Sequence, residues 1–239
     1  MGQDGGNLRR LGVNIVYALT SNFVEYAKPS MKSLLEHNPD AKIYLLTDED
    51  VKPDIPMTVI NVSQQNYFDP RSCVNLPNNF GGYINLLKVA YADLLPKLQK
   101  VIHLDADTII TDSLDGLWKT DVKGKWAAAC LERWGNYKPF GNDYYNMGVA
   151  LINLKQMRTD GIIPTMVEYL NTVHQPFADQ DAWNKYGIEQ GKITVLDGRY
   201  NESGITGKSN DPAIVHYCGI RNWWGNHYMD RHEYLEKYL

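Results

Sequence analysis

The sequence contains few cysteines, and none of them stands in a disulfide or metal-binding pattern. The three cysteines among 239 residues are Cys73, Cys130 and Cys218, an odd number without any CxxC spacing. This distribution argues against a disulfide framework and against a cysteine-based zinc site. A reducing interior suits such a chain, so we expect a cytoplasmic protein.

Long apolar runs and an excess of basic residues are also missing. No stretch reaches the 18 apolar residues of a membrane-spanning helix, and the N-terminal MGQDGGNLRRLG lacks the apolar core of a signal peptide. We therefore expect no transmembrane segment, and we interpret residues 1–12 as a disordered or cloning-derived tail. The formal net charge of −4 argues against nucleic acid as a partner, because a phosphate backbone requires a basic surface.

Short apolar runs rich in β-branched residues alternate with helical patterns along the chain. Predicted strands cover residues 13–19, 41–47, 57–61, 100–105, 125–132, 146–154, 193–196 and 213–217, and predicted helices cover 23–37, 81–98, 162–173 and 179–186. Strands that alternate with helices predict a mostly parallel sheet covered on both faces. We expect one α/β domain over residues 13–239.

Two carboxylates stand at the end of the predicted strand KVIHLD, where Asp105 and Asp107 flank Ala106. Residues two apart in an extended strand share a face, so repulsion would raise one carboxyl pKa unless a divalent cation joined the pair. Open α/β sheets bind ligands at this end of their strands. The alternative is a helix cap beside a solvated carboxylate. An EF-hand is excluded, because Ile109 and Ile110 would occupy its fifth and sixth positions.

A histidine near the C-terminus extends this candidate site. His216 ends the apolar run AIVHY, and Gly219 follows three residues later. A histidine at a strand end is otherwise a packed or hydrogen-bonded residue. Two carboxylates and one imidazole suit Mn²⁺ better than Mg²⁺, although Mg²⁺ remains possible. The candidate metal ligands are therefore Asp105, Asp107 and His216.

Five segments, taken in order, resemble glycosyltransferase family 8, which includes glycogenin and the bacterial lipooligosaccharide α-galactosyltransferases. The segments are VIHLDADTII, SLDGLW, YYNMGVALINL, DQD and HYCGIRNWW, and the resemblance extends from Val13 to Trp224. It implies a single Rossmann-like nucleotide-sugar-binding domain of the glycosyltransferase A type. It also implies a UDP-sugar donor, Mn²⁺ and transfer with retention of anomeric configuration.

The resemblance further implies roles for individual residues. Asp105, Ala106 and Asp107 would contact the metal and the donor ribose, with His216 as third metal ligand, while Phe23 or Tyr26 would stack on uracil. The other implied donor-binding residues are Ala18, Leu19, Thr20, Asn22, Tyr26, Lys88, Asn146, Gly148, Gly219, Arg221 and Asn222. Some of these residues have an ordinary structural alternative: a helix N-cap at Ser21 or Asn22 and core packing for the first loop, a solvated lysine at position 88 and a β-bulge at Gly148.

The segment FADQDAW supplies the candidate catalytic residues. The resemblance implies that Asp179 lies near the donor sugar hydroxyls and Gln180 beside the anomeric carbon. Asp179 and Asp181 could instead be first-turn acids favoured by the helix dipole. Because an amide is a weak nucleophile, we favour a same-face displacement in which the leaving diphosphate helps to deprotonate the acceptor.

One motif departs from the family pattern, which is usually HxxGxxKPW. Here Asn222 and Trp223 occupy the Lys and Pro positions, and Arg221 lies one position away. Arginine can grip a phosphate bidentately, so the positive charge is retained at a shifted position.

The sequence therefore predicts a metal-dependent retaining transferase that moves a hexose from a UDP-sugar to a glycan or another hydroxyl acceptor. The alternatives are a self-glycosylating protein like glycogenin and a non-catalytic nucleotide-sugar-binding module. A sugar nucleotidyltransferase is disfavoured, because ALTSN stands where that class has a glycine-rich basic loop. Four aromatic residues could stack on an acceptor sugar or be buried: Trp134, Tyr144, Tyr145 and Trp224.

Overall fold

The computed structural model describes residues 12–77, 82–133, 137–141, 143–219 and 232–238. Within these ranges the strands are β1 (Asn14–Ala18), β2 (Lys42–Thr47), β3 (Thr58–Asn61), β4 (Val101–Leu104), β5 (Thr108–Ile110), β6 (Ala127–Leu131), β7 (Tyr145–Ile152), β8 (Ile193–Val195) and β9 (Ile214–His216). The α-helices are α1 (Val24–His37), α2 (Gly82–Leu86), α3 (Tyr91–Leu94), α4 (Asp115–Trp118), α5 (Leu154–Asp160), α6 (Ile163–Thr172), α7 (Ala178–Glu189) and α8 (His232–Glu236).

The central sheet has seven strands in the order β3-β2-β1-β4-β7-β6-β8. Strand β7 runs antiparallel to both of its neighbours, and the other paired strands are parallel. This confirms the predicted α/β fold with a mostly parallel sheet. The chain builds outward from β1 to β3 and then returns to β4, so the strand order reverses between β1 and β4. Ligands bind at such a reversal, beyond the carboxyl ends of the strands.

Helices cover both faces of the sheet, which explains the continuous apolar runs of its strands. All four residues of β4 and all eight of β7 are buried. In β1, Ile15 and Tyr17 face a core that includes Met31 of α1, while Val16 and Ala18 face a core that includes Trp183 of α7. Alternation along each strand thus divides the apolar side chains between two layers.

The helix predicted over residues 81–98 is wrong in extent. The structure has α2, a 3₁₀ segment (Leu87–Ala90) and the short helix α3, which ends at Leu94. Leu95 has φ −121° and ψ 58°. It precedes Pro96, and proline disfavours helical geometry in the residue before it. The 3₁₀ segment carries Lys88, whose side chain is buried.

Helix α5 was not predicted, although its boundary signals are in the sequence. The side chain of Asn153 accepts a hydrogen bond from Gln156 N at the start of the helix. Gly161 follows the last turn with φ 63°, a left-handed conformation that favours glycine.

None of the described helices combines the length and the apolar character that crossing a bilayer requires. All three cysteines are unpaired.

A chain of hydroxyl groups connects β1 and α1 to the turn after β4. Tyr17 Oη lies 2.8 Å from Ser30 Oγ, and Ser30 Oγ lies 2.8 Å from Thr108 Oγ1. Thr108 donates to the carbonyl of Asp105 at 2.9 Å, so Ser30 donates to Thr108 and Tyr17 donates to Ser30. Burial raises the pKa of Tyr17 and keeps its proton in place. This series of hydrogen bonds therefore holds the backbone carbonyl of Asp105 in place from the side of β1 and α1.

We predict that Ser30→Ala lowers the free energy of unfolding by about 1–3 kcal/mol, because the buried Tyr17 hydroxyl loses its acceptor. Urea denaturation measures this change. In a Tyr17→Phe background the same substitution should lower the free energy of unfolding by less, since position 17 then has no hydroxyl that could be left without an acceptor. An equal cost in both backgrounds would contradict an energetic coupling between the Tyr17 and Ser30 hydroxyls.

Candidate active site

Asp105 and Asp107 lie in the turn between β4 and β5, because β4 ends at Leu104. The predicted strand 100–105 therefore extends one residue too far, because it included Asp105. Asp105 N donates to Gly148 O at 2.8 Å, and Tyr217 N donates to Asp107 O at 2.8 Å. These backbone bonds tie the turn to β7 and to the end of β9, and they bring the two carboxylates to the carboxyl end of β4.

His216 reaches the same place from β9. Strands β5 and β9 form a separate antiparallel pair in which Thr108 lies opposite His216. His216 Nε2 lies 3.2 Å from Asp107 Oδ1 and 3.8 Å from Asp105 Oδ2. One ligand atom from each of these three residues lies within 4.8 Å of the other two. The structure thus brings the three sequence-predicted ligands together.

The imidazole of His216 is set up to bind a cation. Its Nδ1 lies 2.8 Å from Asn201 Oδ1, which accepts the Nδ1 proton, and its buried Nε2 has no hydrogen-bond partner. Burial lowers the pKa of His216, but the carboxylate of Asp107 outweighs it and raises that pKa. A positive charge is therefore favoured at this place, either as a second proton on the imidazole or as a bound cation. One imidazole nitrogen and two carboxylate oxygens fit a divalent metal ion.

Gly148 lies directly against this site. An added Cβ would overlap His216 Cε1 and lie 2.6 Å from Asp105 Oδ2. The register of β7 against β6 also shifts here, so that residues 147–149 bulge away from β6. The bulge interpretation from the sequence therefore holds, and the missing side chain leaves room for the side chains of His216 and Asp105.

Lys88 is buried, so the interpretation as a solvated helix lysine is wrong. Its Nζ lies 3.2 Å from Asp179 Oδ2 and 3.6 Å from Asp105 Oδ1, and it donates to Met147 O at 3.1 Å. Burial acts to lower the pKa of Lys88, but the two carboxylates raise this pKa by more than burial lowers it. The pKa is therefore above its ordinary value, and the ammonium stays charged. The lysine thus offsets the negative charge of one carboxylate in the turn after β4 and of another at the start of α7.

Asp105 is also held by His103, a residue that the sequence analysis missed. Tyr91 Oη lies 3.0 Å from His103 Nδ1, and His103 Nε2 lies 2.8 Å from Asp105 Oδ1. Burial and the charge of Lys88 lower the pKa of His103 to about 4, so Tyr91 donates to Nδ1 and the Nε2 proton is donated to Asp105. Burial acts to raise the pKa of Asp105, but Lys88 and His103 hold it below its ordinary value.

The first turn of α7 carries the two predicted catalytic residues. Gln180 Oε1 accepts from Met147 N at 3.0 Å, and Gln180 Nε2 donates to Glu132 Oε1 at 3.1 Å. Asp179 is buried, and burial raises its pKa although Lys88 opposes the shift. Asp179 therefore pairs with Lys88 inside the protein and is more than a first-turn acid. Glu132, at the end of β6, was not predicted.

Asp181 and its neighbours have a structural role. Asp181 accepts hydrogen bonds from Tyr144 Oη at 2.7 Å, Phe177 N at 2.9 Å and Tyr137 Oη at 3.1 Å. Tyr144 and Tyr145 are both buried. These two tyrosines therefore do not offer a surface for stacking on an acceptor sugar.

The loop after β1 lies beside the candidate metal ligands, because β1 pairs in parallel with β4. Thr20 Oγ1 donates to Asn22 Oδ1 at 2.6 Å, and Ser21 N donates to Asp48 Oδ1 at 2.7 Å. Asp48, just after β2, was not predicted. The N-cap of α1 is Phe23, without a side-chain cap. A capping role for Ser21 or Asn22 in α1 is therefore wrong.

Two aromatic rings that the sequence assigns to uracil stacking contact each other in the first turns after β1. Phe23 and Tyr26 meet edge to face with centroids 5.5 Å apart, and Tyr26 is 40% exposed. Ala18 is buried at the end of β1, and Leu19 N donates to Leu46 O. Tyr26 therefore presents part of its ring to solvent just after this loop.

The C-terminal predicted segment is described only in part. Gly219 has φ 77°, a left-handed conformation that explains glycine at this position. Arg221, Asn222, Trp223 and Trp224 lie outside the described residues, as does Trp134.

We predict that Gly148→Ala weakens Mn²⁺ binding by more than about 10-fold, because the methyl group would displace His216 and Asp105. Isothermal titration calorimetry measures the affinity. Gly204→Ala is the matched control, since no atom lies within 4 Å of its added Cβ. An unchanged affinity in Gly148→Ala would show that the three side chains do not share one ion.

Comparison with known proteins identifies the family. The sequence model of glycosyl transferase family 8 matches residues 14–227. A putative glycosyltransferase of Haemophilus influenzae is 25% identical over 243 residues, covering 89% of this chain and 73% of that protein. Glycosyltransferase GlyA of Streptococcus pneumoniae is 26% identical over 88% of this chain, which spans only 32% of it.

A solved structure has the same architecture. The galactosyltransferase LgtC, in complex with donor and acceptor sugar analogues, superposes with a TM-score of 0.70 at 23% identity, covering 95% of this chain and 96% of the other. This similarity confirms the Rossmann-like glycosyltransferase A fold. The chain belongs to glycosyltransferase family 8.

Proposed function

We propose that this protein is a metal-dependent, retaining glycosyltransferase that moves a hexose from a UDP-sugar to a hydroxyl group of a glycan or another acceptor. The observation that carries the proposal is the buried Nε2 of His216, which lacks a hydrogen-bond partner and faces Asp105 and Asp107. Within a family 8 chain, this set of oxygen and nitrogen ligands supports a site for a divalent cation beside the donor diphosphate.

Asp105, Asp107 and His216 would hold the metal, and their mixed ligand set favours Mn²⁺ over Mg²⁺. When bound there, the ion supplies Lewis-acid stabilisation of the diphosphate leaving group. Lys88 and His103 prepare the site by keeping Asp105 ionised and oriented through its Oδ1, while Oδ2 faces His216. The metal-facing oxygen is thereby left free of hydrogen bonds from these two residues.

The donor would lie along the carboxyl ends of β1 and β4, where the strand order reverses. We assign the nucleoside to the loop after β1 and the ribose and diphosphate to the turn after β4 and the segment after β9. The proposed donor-binding residues are Ala18, Leu19, Thr20, Asn22, Tyr26, Lys88, Asp105, Ala106, Asp107, Asn146, Gly148, Gly219, Arg221 and Asn222.

The oxygen and the nitrogen of the Gln180 side-chain amide both form hydrogen bonds, which supports displacement without a covalent enzyme intermediate. Its oxygen accepts from Met147 N and its nitrogen donates to Glu132. An amide oxygen is a weak nucleophile, and this hydrogen bond makes it less available for attack. We propose that the acceptor oxygen bonds to the anomeric carbon on the face that UDP leaves. The bond to the diphosphate oxygen breaks, and that oxygen takes the acceptor proton. Asp179 and Gln180 position the sugar.

The first experiment measures UDP release from a panel of UDP-sugars with and without Mn²⁺, in the absence of an acceptor. We expect slow, Mn²⁺-dependent hydrolysis of one donor, which also names the transferred sugar. A mass increase of the protein during the reaction would instead indicate self-glycosylation. Binding of UDP and Mn²⁺ without turnover, either alone or with an acceptor panel, would contradict the enzymatic proposal in favour of a binding module.

We predict that Asp105→Asn and Asp107→Asn each lower the rate of UDP release at least about 100-fold, because each removes a charged metal ligand. Asp40→Asn is the matched control, since this aspartate is exposed and lies outside the site. Full activity in either ligand variant would contradict the metal role.

A further inference from the structure

A chain of hydrogen bonds connects Glu132, at the end of β6, to the imidazole of His216. Asn146 Nδ2 donates to Glu132 Oε1 at 3.0 Å, and Asn201 Nδ2 donates to Asn146 Oδ1 at 2.9 Å. Asn201 Oδ1 in turn lies 2.8 Å from His216 Nδ1. Gly148 N also donates to Asn146 Oδ1, at 3.1 Å.

The inner members of this chain are shielded from water. Asn146, Asn201 and His216 are all buried, with at most 6% of each residue exposed. A buried amide that turns by 180° exchanges an acceptor for a donor, and a wrongly oriented one leaves a polar group unpaired. Each amide orientation is therefore dictated by its neighbours in the chain.

The carboxylate at one end gives the chain its direction. An ionised Glu132 only accepts hydrogen bonds, so the NH₂ group of Asn146 must face it. The oxygen of Asn146 then faces Asn201 NH₂, and the oxygen of Asn201 faces His216 Nδ1. In the neutral ring that nitrogen must carry the single proton, which leaves the lone pair of His216 on Nε2, toward Asp105 and Asp107.

The same carboxylate oxygen also orients the amide beside the reacting sugar. Glu132 Oε1 accepts from Gln180 Nε2 at 3.1 Å as well as from Asn146 Nδ2. Gln180 Oε1 is thereby directed to Met147 N. One oxygen atom is the common acceptor of two chains, one that ends at the sugar-positioning amide and one that ends at the metal-binding imidazole.

We propose that Glu132 is a positioning residue that orients Gln180 directly and selects the metal-binding tautomer of His216 through Asn146 and Asn201. This inference rests on the proposed metal role of His216. Gly148 N–H supports the same orientation of Asn146, so loss of Glu132 weakens the selection without abolishing it. Partners of a metal-bound histidine fix its tautomer, and their removal costs 10–100-fold in affinity or activity.

The test compares Glu132→Ala with Glu132→Gln, which keeps a carbonyl oxygen for both amide donors. We expect Glu132→Ala to weaken Mn²⁺ binding about 10-fold in calorimetry and Glu132→Gln to restore most of the affinity. Glu168→Ala is the control, because this glutamate is exposed. Melting temperatures of all variants show whether a loss reflects unfolding. Equal Mn²⁺ affinity in Glu132→Ala and the unchanged protein would overturn the inference.

A second background separates the two chains. Asp at position 201 can only accept from His216 Nδ1, so it fixes the tautomer without help from Glu132. In an Asn201→Asp background, Glu132→Ala should no longer weaken Mn²⁺ binding, whereas its effect on UDP release through Gln180 should persist. Equal Mn²⁺ losses in both backgrounds would overturn the relay.

Nitrogen NMR of the imidazole in the metal-free protein provides a readout that is independent of metal and turnover. We expect the neutral His216 ring to carry its proton on Nδ1 in the unchanged protein and to gain a population with the proton on Nε2 in Glu132→Ala. An unchanged tautomer would overturn the relay. Absence of Mn²⁺ binding in the unchanged protein would contradict the proposed function, while these NMR signals would still decide the relay.

Discussion

The concentration of negative charge at the carboxyl end of β4 is the constraint on which the rest of the site depends. Asp105, Asp107 and Asp179 approach one another there, and Asp179 is buried. Carboxylates in such surroundings stay ionised only beside positive charge or donors. Lys88, in the 3₁₀ segment, supplies one positive charge. His216 offers a ring nitrogen that could bind a second positively charged group, a metal cation. A divalent cation at this place would balance the remaining negative charge, as the proposed function requires.

That constraint also explains the irregular backbone of β7. The bulge at residues 147–149 separates Met147 from the ladder with β6, which would leave its peptide groups without partners in a buried strand. Gln180 Oε1 accepts from Met147 N, and Lys88 Nζ donates to Met147 O. Gly148, the next residue, leaves space for the ligands. The bulge therefore presents backbone groups to the site residues and opens the site itself.

The sequence identifies the parts of the site that come from strand ends. Asp105 and Asp107 follow the apolar run of β4, and open α/β sheets bind ligands at the carboxyl ends of their strands, so this part of the site was predictable. His216 joins them from β9, which pairs antiparallel with β5 outside the central sheet. The partners of these residues were not predictable, because no periodic pattern records a contact between distant segments. Asn201 meets Asn146 across 55 positions and Gln180 meets Glu132 across 48. His103 gave a local signal, since it lies on β4 only two residues before Asp105.

The start of α7 shows how the fold keeps a strained element in place for the site. Ala178 has φ 43°, a left-handed conformation that costs a non-glycine residue about 1–3 kcal/mol. Such strain persists only where the surroundings determine it. Here Asp181 accepts from Phe177 N on one side of Ala178, while Asp179 pairs with Lys88 on the other. The strained residue therefore sits between two buried carboxylates that are each anchored. The conformation of Ala178 determines the direction of the first turn of α7, from which Gln180 contacts Met147 N. The strained residue therefore lies next to the place proposed for the donor sugar.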